Sequence, residues 1–108
     1  MDQELRSDLV EALTADIAKT WKLCAFDPSL AMNSAQLLYQ RAKELNYKKG
    51  KAWVLLVKAR ASLQLSDLEQ AKTSVLEAIN CFQKYKELTS LAEAFLLESA
   101  IFLQQGSL

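Results

Sequence analysis

The chain has 108 residues, 51% of them apolar, with two glycines, one proline and no histidine. It is long enough for one domain, too apolar for disorder, and so poor in Gly and Pro that helix is favoured. Thirteen bases and thirteen acids cancel, which leaves no global electrostatic attraction to nucleic acid or to an anionic membrane.

Locally the charges separate. Residues 1–16 hold five acids (Asp2, Glu4, Asp8, Glu11, Asp16) against Arg6, a net of −4. Residues 41–60 hold seven bases (Arg41, Lys43, Lys48, Lys49, Lys51, Lys58, Arg60) against Glu44, a net of +6. The Lys48-Lys49-Lys51 cluster reads as a solvated linker, with a docking surface for acidic partners as the alternative. Cys24 and Cys81 lie far apart among apolar neighbours, as expected of small buried side chains in a reducing cytoplasm, with a redox or intermolecular disulfide role as the alternative. No apolar run approaches the ~20 residues of a membrane span. The acidic N-terminus MDQELRSDL lacks the apolar core of a signal peptide. A cytoplasmic protein is expected.

In chain order, Leu5, Leu9, Leu13, Ile17, Trp21 and Cys24 recur at spacings of three and four. They predict one apolar stripe on a helix over residues 3–25. Asp27-Pro28 stops it and starts a second helix, with Pro28 at the first position and Asp27 as the cap. That helix extends to about Asn46, with Leu30, Ala31, Ala35, Leu38, Tyr39, Ala42 and Leu45 on one side. The break 46–50 ends in Gly50, a residue tolerant of positive φ.

A third helix, about 51–65, is apolar over most of its girth and should occupy the centre of the fold. Ser66-Asp67-Leu68-Glu69 reads as a capping box opening a fourth helix with the stripe Leu68, Ala71, Val75, Ala78, Ile79 and Phe82. A fifth helix follows, capped by Thr89 or Ser90, and continues almost to Gly106. No strand is expected.

Five helices in hairpin order raise the question of repeats. Ala35, Tyr39 and Ala42 lie over Ala71, Val75 and Ala78 at an offset of 36, and the third helix falls on the fifth at an offset of 40. Small residues at fixed places let antiparallel helices approach closely.

On these residues the chain resembles the tetratricopeptide repeat family, in its longer variant of roughly 40 residues per unit. The likeness is carried by Ala59, by Ser66-Asp67-Leu68-Glu69-Gln70-Ala71, by Val75, Leu76 and Ala78, and by the segments 46–52 and 85–94. It covers residues 28–106, with 3–25 as a degenerate first helix. Ser62 and Ser66 depart from the family's usual Tyr and Gly.

The resemblance implies an all-α fold of antiparallel helical hairpins stacked as a short right-handed superhelix. Residues 1–108 then form a single helical-repeat domain of about five helices. Two hairpins leave the fifth helix unpaired, with Leu96, Leu97, Ile101 and Phe102 beyond its inner stripe. The expectation is therefore a fragment of a longer protein, or a chain that buries that face against a copy of itself. Gly106-Ser107-Leu108 also reads as a cloning remnant.

Chemistry is not expected. The missing histidine excludes a histidine base, Ser-His-Asp and Cys-His pairs, and histidine metal sites. Two lone cysteines make no zinc site, and two isolated glycines make no phosphate loop. No cofactor is expected.

What the resemblance implies instead is binding, with the first helix of each hairpin lining a concave groove. The inward residues would be Trp53, Leu56, Arg60, Leu63 and Gln64 of the third helix, and Glu93, Leu96, Ala100 and Gln104 of the fifth. Arg60 beside Trp53 could hold a carboxylate or an extended peptide. Alternatively Trp53 and Leu56 pack on the first helix and Arg60 pairs with Glu93. The partner implied is a protein or peptide, neither nucleic acid nor membrane. The implied setting is the regulatory part of a bacterial signalling protein, ahead of a diguanylate cyclase, histidine kinase or LuxR-type output domain. A homo-oligomerisation module and a free-standing adaptor or chaperone-type chain are the alternatives.

Overall fold

The computed structural model describes residues 2–106. Five α-helices follow one another: α1 (Gln3–Leu23), α2 (Pro28–Glu44), α3 (Lys48–Gln64), α4 (Leu68–Lys84) and α5 (Leu88–Gly106). The described residues contain no strand, so the all-α expectation stands. The reading of the C-terminal tail as a remnant falls partly on Ser107 and Leu108, outside the described residues.

Turn chemistry sets a period of 20. The residues that precede α2 to α5 are Asp27, Tyr47, Asp67 and Glu87. In the last three turns a left-handed residue ends the helix: Asn46 (φ 51°), Ser66 (φ 63°) and Lys86 (φ 57°). The next amide then reaches back five residues, from Tyr47 to the Ala42 carbonyl (2.8 Å), from Asp67 to Ser62 (2.9 Å) and from Glu87 to Phe82 (3.0 Å). This is the Schellman closure, which satisfies carbonyls the helix end leaves open.

Several local expectations need correction. The Ser66–Glu69 capping box does not form, because Ser66 is the left-handed residue that closes α3 and cannot also be an extended N-cap. Asp67 takes that place and accepts from the Gln70 amide at 3.2 Å. Thr89 and Ser90 lie within α5, after its first residue Leu88. Gly50 supplies no positive φ and is buried inside α3. Its missing side chain makes room for the Tyr47 ring, since a Cβ there would stand 2.7 Å from Cε2. Lys48, Lys49 and Lys51 form the first turn of α3 rather than a linker. Asp27 and Pro28 behave as expected, Asp27 accepting from the Leu30 amide at 3.1 Å.

Ser66 offers a direct check on the turn. An L-residue in the left-handed region carries roughly 1 kcal/mol of strain that glycine avoids. Ser66→Gly should therefore raise the unfolding free energy, read as a higher urea midpoint, by about 0.5 kcal/mol after the added freedom of the unfolded chain is subtracted. A lowered midpoint would contradict the turn geometry.

The helices form two layers. α1, α3 and α5 run side by side in the same direction, α3 touching both neighbours, while α2 and α4 form the second layer and do not touch each other. The slab measures 53 × 29 × 18 Å, and its middle dimension is close to the ~26 Å length of a 17-residue helix.

Packing explains why α3 is apolar all round. Val54, Val57 and Ala61 join Leu13, Ile17, Cys24, Ala31, Ala35, Leu38 and Ala42 in one core. Ala52, Leu55, Leu56 and Ala59 join Ala71, Val75, Ala78, Ile79, Phe82, Ala94 and Ile101 in the other. Both cores depend on α3. Ser62 is also fully buried there, and its hydroxyl has no hydrogen-bond partner among the described residues.

The offset of 36 between α2 and α4 is one helical turn short. Both helices have 17 residues and start 40 apart. At 40, buried Ala31 meets Ala71, Ala35 meets Val75, Leu38 meets Ala78 and Ala42 meets Phe82. A small–large pattern looks alike after every turn of helix, so side chains alone leave the register ambiguous by about four residues. The turns resolve it. The expected α1 stripe is also only partly buried: Leu5 (51%) and Leu9 (38%) remain exposed, as does Leu30 of α2 (50%). α1 is four residues longer than α2, and Arg6 in its first turn donates to the Leu45 carbonyl at the end of α2 at 2.9 Å.

Candidate functional site

A hollow of about 520 Å³ opens on the layer formed by α1, α3 and α5. Its floor is apolar and aromatic: Ile17, Ala18 and Trp21 from α1, Gly50 and Trp53 from α3, and Tyr47 from the turn ahead of α3. Lys22, Lys49 and Glu87 stand at the rim.

Each wall is held for a physical reason. The Tyr47 ring lies over Gly50, and its hydroxyl stands 3.2 Å from Thr14 Oγ1, tying the turn to α1. Trp53 meets Trp21 edge to face at 5.8 Å and 90°, and meets Phe82 at 5.8 Å and 68°. Its indole Nε1 donates to Ser90 Oγ on α5 at 3.0 Å. One side chain thus joins α1, α3, α4 and α5. Aromatic pairs at this separation contribute beyond their buried area. Lys49 reaches Glu87 at 3.4 Å across the α3–α5 edge, an exposed pair that adds little stability.

Arg60 is engaged with the C-terminal end of α1. Its guanidinium lies 4.5 Å above the Trp21 ring, and Nη1 donates to the Trp21 carbonyl at 2.7 Å. It therefore satisfies an open carbonyl at the C-terminal end of α1 and stacks on the same residue, rather than pairing with Glu93.

The other expected residues scatter. Arg60, Glu93, Leu96 and Ala100 border a second, shallower hollow of about 340 Å³ next to Trp21 and Leu97. Trp53 belongs to the first hollow. Leu56 is fully buried between α3 and α4, and Leu63 is half-buried against the same core. Gln64 and Gln104 are exposed at helix ends. The contribution of α1 and of Tyr47 was missed. Trp21, on the α1 stripe, was the available signal, because a tryptophan at the C-terminal end of one inner helix needs a large partner on the next.

Among the described residues, no group of three His, Cys, Asp or Glu side chains is placed to hold a metal. Cys24 is buried, its sulfur 3.4 Å from the Thr20 carbonyl and 3.6 Å from that of Val57. Burial pushes its thiol above the ordinary range, against a smaller lowering effect of Arg60. A thiol held protonated is a poor nucleophile. No described helix is long and apolar enough to cross a membrane.

No protein-family model, curated protein or solved structure matches the chain.

Proposed function

We propose that the chain is a non-enzymatic binding module that takes a short protein segment into the hollow between α1, α3 and α5. The observation that carries this reading is the 520 Å³ opening floored by Ile17, Trp21, Tyr47 and Trp53. Aromatic side chains in a concave site bury large area on contact and lose little rotamer freedom. The flanking Lys22, Lys49 and Glu87 offer charges of both signs to a polar backbone or side chain.

The resemblance to the tetratricopeptide repeat family supports the same reading. Inner helices that touch, with outer helices that do not, suit a right-handed superhelix whose hollow faces inward. By that resemblance the module serves a cytoplasmic signalling protein as its regulatory segment.

A blocked hollow tests the proposal. Ala18 is exposed on α1 and lines the opening, so Ala18→Arg should fill it without disturbing the core. Peptides selected from a random library on the unmodified chain should bind Ala18→Arg at least ~10-fold more weakly, a loss of ~1.4 kcal/mol. Failure to enrich any peptide, or equal affinity for both chains, would refute the proposal.

A further inference from the structure

We infer that the outer face of α5 is a self-association surface on which a second copy of this chain docks in antiparallel fashion. In α5 the buried residues Ser90, Ala94 and Ile101 point one way. On the opposite side lie Leu88 (76% exposed), Phe95 (42%), Leu96 (67%), Phe102 (55%) and Leu103 (73%). The positions 40 residues earlier in α3 show what such a face requires. Leu55 and Leu56, which correspond to Phe95 and Leu96, are covered by α4. The corresponding side chains of α5 remain exposed among the described residues.

Three observations point to a second copy rather than to another partner. The face repeats every seven residues, with Leu88, Phe95 and Phe102 in one row and small Ala92, Ser99 and Gly106 in another. A seven-residue apolar repeat is the pattern by which helix packs along helix. It is also palindromic in size. A two-fold axis through Ser99 sets Leu96 against Phe102 of the second copy, Phe95 against Leu103, and small Ala92 against small Gly106. Bulky side chains interdigitate while small ones let the backbones close, as an isologous contact demands. Charge does not oppose it either: the acids of α5, Glu93 and Glu98, lie off this arc. The exposed parts of Phe95, Leu96, Phe102 and Leu103 would remove roughly 500 Å² per copy, about the 1,000 Å² in total that a specific interface must clear.

The test uses the full chain in sedimentation equilibrium. A species of twice the 12.1 kDa chain mass should build up as concentration rises. Phe95→Glu with Leu96→Glu should return it to monomer with unchanged helical circular dichroism. Leu37→Glu, at an equally exposed leucine of α2 (70%), should leave the dimer intact. Orientation is read by disulfide formation in a Cys81→Ser background. Ser99→Cys on the axis should cross-link, whereas Ala92→Cys, whose two copies would be separated by ~21 Å along antiparallel helices, should not. A monomer at every concentration overturns the inference. So does dissociation by Leu37→Glu, or cross-linking at Ala92→Cys as efficient as at Ser99→Cys. If the charged double variant fails to fold, the cysteine pair still decides. Peptide affinity of Ala18→Arg is a separate readout, so the hollow and this face can fail independently.

Discussion

Phe82→Ala is expected to lower the unfolding free energy by ~3–5 kcal/mol, the usual cost of truncating a buried phenylalanine. Phe82 is 1% exposed and sits in the core shared by α3, α4 and α5. It occupies the place that Ala42 holds in α2, where the core needs a small residue instead. Its ring also supports Trp53 from below at 5.8 Å. A domain of this size has only ~5–15 kcal/mol of stability, so such a loss removes a large part of it. Urea titration followed by far-ultraviolet circular dichroism measures the change. A shift below about 1 kcal/mol would mean that the α3–α4 seam collapses around the gap or is not formed as described.

Trp53→Ala should cost a similar ~3–5 kcal/mol for a different reason. Trp53 is only half-buried, yet it touches Trp21 on α1 and Phe82 on α4 and donates to Ser90 on α5. Its removal unties the inner layer and leaves the buried Ser90 hydroxyl without its donor. Trp53→Phe separates the two contributions: most of the packing remains, and the lost hydrogen bond alone should cost about 1 kcal/mol. Because Trp53 and Phe82 touch, the double alanine variant should fall short of additivity by at least ~0.5 kcal/mol. Simple additivity would show that the two rings do not support each other.

Much of the architecture was legible in the residues. Spacings of three and four gave all five helices, and Asp27-Pro28 marked one boundary with its cap. The all-round apolar surface of α3 identified the central helix, because only a helix enclosed by neighbours can bury every side. The remaining boundaries drifted by up to three residues because Asn46, Ser66 and Lys86 adopt the left-handed region without being glycine. Such residues carry no strong signal in the sequence. Ser66 was mistaken for a cap because serine serves at both ends of a turn, and local chemistry does not say which helix it closes.

The candidate site was less legible. Trp53 was recognised, but the hollow it lines is shared with Trp21, Ile17 and Tyr47, residues 6 to 36 positions away in the chain. Arg60 reads either as a holder of a carboxylate or as a partner of Glu93, because its closeness to the α1 terminus is invisible in one dimension. In the structure it satisfies the Trp21 carbonyl.

By itself the amino-acid sequence determined that this protein is helical, that its helices pair in order, and that small and large residues alternate along their contacts. Those properties follow from periodicity and turn residues, which act over a few positions. Only the tertiary structure decided the 40-residue register, the use of Gly50 as a seat for Tyr47, and the opening between α1, α3 and α5. Each depends on side chains brought together by the stacking of whole helices, and stacking is governed by the shape of surfaces rather than by the order of residues within them.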